Sequence, residues 1–218
     1  MKKKKIVRKK NWAQDWLEAI LFAFVVAMII RNYTFQNFKI PTGSMESTLL
    51  VGDYLVANKM KYFFTDPKRD DIVTFRYPAD PLHPPKENFV KIIPPIYWNK
   101  SKFFFHYHEK KNVVKRVIGM PGDKIEMIRK ELYVNDEKYI GGYEQYLDPR
   151  IISQRDDYGP MTVPEGHYFV LGDNRDYSAD SRYWGLLERE DITGSPLFIF
   201  WSTGYDGVRW ERIFKSIK

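Results

Sequence analysis

The clearest pattern along the chain is one long apolar stretch near the N-terminus. An uninterrupted apolar core runs from Ala19 to Ile30, with tryptophans before it and Arg31 and Tyr33 after it. Tryptophan and tyrosine favour the membrane–water interface, so these flanks can extend a core that is short for a span of about 20 residues. We therefore predict a single transmembrane helix over residues 12–35.

Beyond Asn37, short runs of apolar or alternating residues are separated by proline and glycine, a pattern typical of strands and turns. The predicted strands are Asp53–Ala57, Asp71–Arg76, Asn112–Ile118, Lys124–Ile128, Glu131–Val134, His167–Leu171 and Pro196–Trp201. Helical periodicity is scarce and no internal repeat is visible. The fold class predicted is mainly β, with an antiparallel β-sheet body behind the N-terminal helix and a smaller β extension.

These patterns divide the chain into four parts. They are a basic tail over 1–11, the helix over 12–35, a main β body over 36–123 and 161–218, and a smaller β extension over 124–160. Within the body, an insert over 83–111 is rich in aromatic residues, proline and lysine. Proline and charge break it too often for a second membrane span.

Charge is concentrated at one end. The 218 residues carry a net charge of +7, and seven basic residues with no acid fall in the first ten positions. The remaining chain is neutral, so no nucleic-acid partner is predicted. A basic tail before an apolar helix indicates a cytoplasmic N-terminus, with the body on the outer face of the cell (inner) membrane. A cleaved signal peptide is the alternative, but the residues after Ile30 are bulky and offer no small-x-small cleavage site.

The chain contains no cysteine, so it forms no disulfide. This absence is compatible with an oxidising compartment outside the cytoplasm and does not require one.

The first candidate for chemistry is the polar turn within Ile40–Leu50. Ser44 follows a glycine that allows close backbone approach, and Thr42 supplies a second hydroxyl two positions earlier. Glycine–serine turns are common, and a surface turn is the ordinary interpretation of this segment taken alone.

The second candidate is the run Asn112–Asp123. In a strand, Lys115 shares a face with Val113 and Val117, and Arg116 lies on the other face. A lysine between two valines is desolvated, which lowers its pKa and makes it a base near neutral pH. The alternative is a solvated pair of cations on an edge strand, which this segment alone favours.

The third candidate is Gly172–Gly185, which contains three aspartates, two arginines and two serines. Such a density of short acids and guanidinium groups suits a hydrogen-bond network that fixes a loop. The acidic spacing does not match a calcium loop, and no Cys/His cluster is present. No metal and no cofactor are therefore predicted.

Four segments together resemble the conserved boxes of bacterial type I signal peptidases (leader peptidases). Those enzymes are membrane-anchored serine proteases with a Ser–Lys dyad. The matching segments, in the family's order, are Ile40–Asn58, Arg69–Tyr77, Val113–Asp123 and Gly172–Gly185. The resemblance implies a signal-peptidase-like catalytic body that removes N-terminal signal peptides from exported proteins. The implied partners are the signal peptides of preproteins, membrane lipid and the secretion machinery.

The resemblance also assigns roles. Ser44 stands at the nucleophile's position, Lys115 at the general base's, and Thr42 at that of the hydroxyl residue which shares the oxyanion hole with the Ser44 N–H. Ser178 matches the serine that orients the lysine. The pairs expected to form are Asp173 with Arg116 and Asp180 with Arg182. The substrate pockets are expected at Ile40, Pro41, Met45, Leu49, Val113 and Val114.

Two departures from the family pattern are visible. Glu46-Ser47 replaces the common x-Pro after Met45, and Tyr177 stands where asparagine is frequent. The first departure affects the rigidity of the turn after the nucleophile. Neither removes a group that the chemistry needs.

Other classes remain open. A Ser–His–Asp site is one, but none of the four histidines lies in a matching segment. A related Ser–Lys protease with other substrates is another, of the sortase-like, pilus-processing or self-cleaving repressor kind; the anchor argues against the repressor. A non-catalytic membrane-tethered β scaffold is the last, although such a relative is expected to lose Ser44 or Lys115.

Overall fold

The computed structural model describes residues 12–78 and 111–217, together with the backbone of strands 89–93, 96–99 and 104–107. The predictions for the basic tail 1–11, and for the side chains of the insert 83–111 before residue 111, lie outside the described residues. The side chains of residues 29–33 do so as well.

The N-terminal helix α1 covers Trp12–Thr34, 23 residues, and ends one residue before the predicted limit. Its described apolar side chains are largely exposed, Trp12 at 78% and Phe22 at 72% among them. The predicted N-terminal helix is therefore present. Among the described residues, no helix combines the length and the apolarity of a membrane span.

Short helices and many strands follow. The short helices are α2 Lys61–Phe64, α3 Ser153–Asp156 and α4 Ser181–Trp184, and 3₁₀ turns cover Gly43–Met45, Arg175–Tyr177, Arg189–Asp191 and Trp210–Arg212. The strands are β1 Phe35–Lys39, β2 Asp53–Asn58, β3 Ile72–Arg76, β4 Phe89–Ile93, β5 Ile96–Asn99, β6 Phe104–Tyr107, β7 Asn112–Gly119, β8 Lys124–Ile128, β9 Glu131–Val134, β10 Glu137–Lys138, β11 Tyr158–Thr162, β12 His167–Leu171, β13 Leu187–Glu188, β14 Ile192–Gly204 and β15 Gly207–Val208.

The strands form antiparallel sheets, which confirms the predicted mainly β class. The largest sheet has the order β1-β2-β14-β3-β7-β12-β13, and β15 pairs with the end of β14. A four-stranded sheet has the order β10-β9-β8-β11, and β4-β5-β6 form a third sheet. The four-stranded sheet corresponds to the predicted extension and ends at Thr162, two residues beyond the predicted limit of 160.

Side-chain alternation places the core on both faces of the largest sheet. On one face, Val117 of β7 packs with Phe75 and Val170. On the other, Ile118 and Phe169 pack against the apolar residues of the four-stranded sheet. The two sheets thus share one core cluster, since burying the apolar face of a small sheet requires a partner layer. A third cluster lies beneath the turn Gly43–Met45 and includes Ile40, Met45, Leu49, Leu55, Ile72, Val114 and Ile199.

Strand β7 lies inside the sheet, between β3 and β12. Its two cations, Lys115 and Arg116, are each only 2% exposed. The interpretation of these residues as a solvated edge-strand pair is therefore wrong. The sequence pattern of a single strand does not carry the position of that strand in a sheet.

Candidate active site

The turn around Ser44 is fixed from below and from one side. The neighbouring Met45 is 1% exposed and packs in the core, so the 3₁₀ turn Gly43–Met45 cannot rotate freely. From the side, Asn174 donates from its backbone N–H to the Ser44 carbonyl (3.2 Å) and from Nδ2 to the Gly43 carbonyl (3.1 Å). The loop Gly172–Gly185 thus holds the turn around Ser44 in place.

Ser44 and Lys115 are brought together by this packing. The Nζ of Lys115 donates to the Oγ of Ser44 at 2.5 Å. Burial lowers the pKa of Lys115 to about 8, although the charges of Asp180 and Asp173 oppose the shift. A lysine with this pKa holds a neutral fraction of about a tenth at pH 7, which is enough to serve as a base.

Arg116 and Asp173 form a buried pair next to this dyad. Two hydrogen bonds join them, Nε to Oδ1 at 2.9 Å and Nη2 to Oδ2 at 2.8 Å. The Thr48 hydroxyl adds a bond to Asp173 Oδ2 at 2.6 Å, and the ring of Tyr143 covers the guanidinium at 3.8 Å. Such bidentate geometry fixes the side chains of Arg116 and Asp173 at the point where the three candidate segments of the sequence meet.

Asp180 and Arg182 form a second buried pair. Arg182 Nε donates to Asp180 Oδ1 at 2.8 Å, and its Nη2 donates to Oδ2 at 2.9 Å. Asp180 also accepts from the backbone N–H of Gly172 at 3.1 Å, and Arg182 donates to the Arg175 carbonyl at 2.6 Å. The pair therefore closes the loop after β12 onto itself.

Ser178 is buried, at 5% exposure. Its Oγ has no hydrogen-bond partner within the described part of the chain. At Gly172, a Cβ would lie 2.3 Å from Ser178 Oγ and 2.3 Å from the Ser44 carbonyl oxygen. Only glycine fits there, and this close approach brings Ser178 to the backbone of Ser44.

A groove of about 290 Å³ opens beside Ser44 and Lys115. Its lining includes most of the predicted pocket residues, namely Ile40, Pro41, Met45, Val113 and Val114, and also Thr42. Leu49 differs, because it is fully buried in the core beneath the groove. No histidine is among the described residues that line the groove, and His167 contacts the Glu165 carbonyl instead.

Strand edges border the groove. Val117 bonds through its N–H to the Asp71 carbonyl and through its C=O to the Asp70 N–H, just before β3. The alternation of β7 therefore points the backbone groups of Val114 and Asn112 the other way. Strand β12 pairs with β7 only from Arg116 onward, which leaves this side open among the described residues. Opposite it, β1 is the outermost strand of its sheet, and Lys39 points its backbone groups away from β2.

Several residues of the site were not assigned a role from the sequence. Asn174 holds the turn around Ser44, Thr48 joins the Arg116–Asp173 pair, and Tyr143 covers that pair. Tyr77 and Ala179 also line the groove. Asn174, Thr48, Tyr77 and Ala179 lie inside the matching segments, and that position was the available signal. Tyr143 lies in the extension, outside those segments, and no sequence signal indicated its role.

Comparisons with known proteins identify the family. A family profile described as "Signal peptidase, peptidase S26" matches residues 13–201. The chain is 33% identical to the signal peptidase I of Aquifex aeolicus, over 84% of this chain and 82% of that protein. It is 32% identical to the signal peptidase I P of Bacillus subtilis subsp. natto, over 92% and 95% respectively. A crystal structure of a signal peptidase I from Enterococcus faecalis gives a TM-score of 0.41 and 27% identity over 60% of this chain and 97% of that one.

A serine peptidase is therefore the class to which the chain belongs. More specifically, it is a member of the signal peptidase family, peptidase S26. The family assignment made from the four matching segments is confirmed.

Proposed function

We propose that this signal peptidase cleaves N-terminal signal peptides from exported preproteins with Ser44 as nucleophile and Lys115 as general base. The observation that carries the proposal is the 2.5 Å contact between Lys115 Nζ and Ser44 Oγ. It is supported by the burial of the lysine and by a pKa of about 8.

In the first step, neutral Lys115 accepts the Oγ proton of Ser44 as that oxygen attacks the scissile carbonyl carbon. The resulting ammonium then protonates the leaving amine, which departs as the mature protein's N-terminus. An ester links Ser44 to the signal peptide. Water attacks this ester, and Lys115 takes the water's proton and passes it to Ser44 Oγ as the signal peptide leaves with a free carboxyl terminus.

Negative charge develops on the carbonyl oxygen during both steps. Donors for it are the Ser44 backbone N–H and the Thr42 hydroxyl, which lines the groove. The side chain of Thr42 does not cap the 3₁₀ turn that follows it. Its hydroxyl is therefore not committed to that turn.

Ser178 orients Lys115 in this proposal, because its hydroxyl is buried beside Ser44 without a partner in the described residues. The pairs Arg116–Asp173 and Asp180–Arg182 hold the surrounding backbone. None of these four charged residues lines the groove. They act by fixing the geometry of the dyad.

The substrate binds as an extended segment between the open edges of β1 and β7. Backbone groups of Lys39 and Val114 bond to it, as in strand addition to a sheet. Ile40, Pro41, Met45, Val113 and Val114 line the groove. The pockets that they form take small side chains of the substrate. Leu49 supports this surface from beneath.

Helix α1 holds the body at the cell membrane, with residues 1–11 cytoplasmic and the body on the outer face. Its support is the exposed apolar surface of α1 and the basic residues before it. The body then comprises 36–123 and 161–218, with 124–160 as the smaller extension, and membrane lipid and the secretion machinery are its partners. Protease added outside intact cells with a permeable outer envelope should digest the body and spare the first ten residues. A mature N-terminus near residue 31 would show a removed signal peptide instead.

A cleavage assay with the purified chain and a purified preprotein tests the activity, with product mass giving the cleaved bond. Ser44→Ala and Lys115→Ala should each abolish cleavage, and the double variant should be no worse, because residues acting as a unit are not additive. His167→Ala serves as the control with full activity. Loss of cleavage in His167→Ala with retention in Lys115→Ala would overturn the assignment.

A further inference from the structure

A loop of the smaller extension, Tyr143–Tyr146, lies against two segments of the site. One is the turn over residues 43–48 that carries Ser44, here called the nucleophile turn, and the other is the loop after β12. The Oγ of Ser47 donates to the Tyr143 carbonyl at 2.5 Å. Two residues on, the Gln145 N–H donates to the Asp173 carbonyl at 2.7 Å, and the Gln145 carbonyl accepts from the Arg175 N–H at 2.9 Å. One short loop therefore bonds to both segments that build the dyad's surroundings.

Ser47 makes its bond from an uncommon backbone conformation. Its φ is +89°, a region that residues other than glycine rarely adopt. The family resemblance leads one to expect proline at this position. Proline has its φ fixed at about −65° and cannot adopt a positive φ. Its neighbour Glu46 lies over Gly43 and accepts from Asn174 Nδ2 at 3.3 Å. The pair that departs from the family pattern thus adds two side-chain links between the turn and its neighbours.

Tyr143 acts on the same region through its side chain. Its ring lies 3.8 Å from the Arg116 guanidinium carbon, and its hydroxyl donates to Asp70 at 2.6 Å. The side chains of Arg116 and Asp173 are only 3% and 1% exposed. The ring therefore forms part of the cover that keeps water from this ion pair.

We propose that Ser47 and Tyr143 are positioning residues for catalysis, which join the nucleophile turn to the smaller extension and so hold Ser44 within reach of Lys115. The proposal rests on the roles given above to Ser44 and Lys115. It assigns to the extension a part in the reaction, through one hydroxyl–carbonyl bond and one aromatic cover.

Ser47→Gly is the first test, because glycine accepts a φ of +89° and removes only the hydroxyl. We expect kcat on a signal-peptide substrate to fall about fivefold with KM unchanged, the size of one lost hydrogen bond. Ser47→Pro should fall further, since proline forces the turn to rearrange. Ser153→Gly, on α3 of the same extension, is the matched control and should keep the wild-type kcat.

Tyr143 is tested by a rescue series in the same assay. Tyr143→Ala should lower kcat, whereas Tyr143→Phe, which keeps the ring over Arg116, should restore most of it. Thermal unfolding of each variant separates a positioning effect from a loss of folded protein, because kcat is calculated per folded molecule.

Wild-type kcat in Ser47→Gly or in Ser47→Pro would overturn the proposal, as would an equal loss in Ser153→Gly or a change confined to KM. Lys115→Ala is measured alongside. If the wild type cleaves and Lys115→Ala does not, the proposed function stands whatever the Ser47 variants show. If both cleave equally, it is the proposed function that fails.

Discussion

Arg212 and Asp53 form a buried ion pair across a separation of 159 residues. Arg212 donates from Nε to Asp53 Oδ1 at 3.1 Å and from Nη2 to Oδ2 at 2.6 Å. The same guanidinium bonds to the Thr48 carbonyl at 3.0 Å. The turn Trp210–Arg212 therefore contacts both β2 and Thr48, close after Ser44 in the chain.

Replacing Arg212 by methionine should destabilise the fold by at most about 3–5 kcal/mol, because the buried charge of Asp53 then keeps only the more distant cation Arg209, at 3.9 Å. Asp53→Asn combined with Arg212→Met should recover part of the loss. Urea unfolding of the two variants and the wild type measures both effects. An Arg212→Met variant as stable as the wild type would show that the pair contributes nothing.

The same pair makes the free energy of unfolding decrease at acid pH. Burial alone would raise the pKa of Asp53, but hydrogen bonds from Arg212 and Ser202 outweigh it and lower the pKa below its ordinary 3.8. The contribution of the carboxylate is therefore fully present above that value and is lost as pH falls below it. Unfolding curves at pH 3 and pH 6 should show a smaller difference for Asp53→Asn/Arg212→Met than for the wild type.

Activity should rise with pH as Lys115 loses its proton. With a pKa of about 8, kcat/KM should increase roughly tenfold per pH unit below that value and level off above it. A short soluble peptide substrate, assayed from pH 6 to pH 9, reports this pKa for the free enzyme. A flat profile over the range would exclude Lys115 as the base.

Lys115 should also lower the free energy of unfolding of the protein at neutral pH. Its pKa falls from 10.5 to about 8, so at pH 7 the folded state holds this proton less favourably by about 3 kcal/mol. The unfolded chain binds more protons between these two values, and stability therefore rises with pH across that window. Lys115→Met should be inactive yet more stable at pH 7, with the gap closing toward pH 10.5. Equal unfolding midpoints at pH 7 would contradict this.

Thr42 can be tested with two substitutions of similar size. Thr42→Val should lower kcat by roughly 10²–10³ for one lost oxyanion donor, whereas Thr42→Ser keeps the hydroxyl and should stay near the wild type. Equal activity of the valine and serine variants would remove Thr42 from the oxyanion hole.

Substrates should carry small side chains one and three residues before the cut. Ile40, Met45 and Val114 are buried and leave little room, and overpacking such a surface costs about 1–3 kcal/mol. A peptide series with alanine changed to leucine or phenylalanine at each position should lose at least tenfold in kcat/KM. Changes at the second position before the cut provide the control.

Local structure was the part most accessible from the sequence. Strands β8, β9 and β12 have their predicted bounds because short-range alternation and adjacent turn residues define them. Alternation also placed Lys115 on the face of Val113 and Val117. The order of the strands was not accessible, because it depends on contacts between distant residues.

Long-range contacts account for the rest of what the sequence did not show. The Asp53–Arg212 pair and the cover of Arg116 by Tyr143 join residues with no common pattern. Leu49 was expected in the groove and lies below it, because a turn places apolar residues on either side of itself without indicating which is outermost. The φ of Ser47 could not be inferred either, since serine is compatible with many turns.

Binding of the substrate between the two strand edges beside Ser44, as proposed, would select unfolded polypeptide segments over folded ones. A chain segment can occupy the groove only if its own N–H and C=O groups are not already bonded within a helix or a sheet. Under the proposed binding mode, compact domains would be protected from cleavage, and a helical signal segment would have to unwind at its end before it fits. Among substrates that carry the small side chains the pockets require, local unfolding would then set the rate at which unrelated proteins are processed.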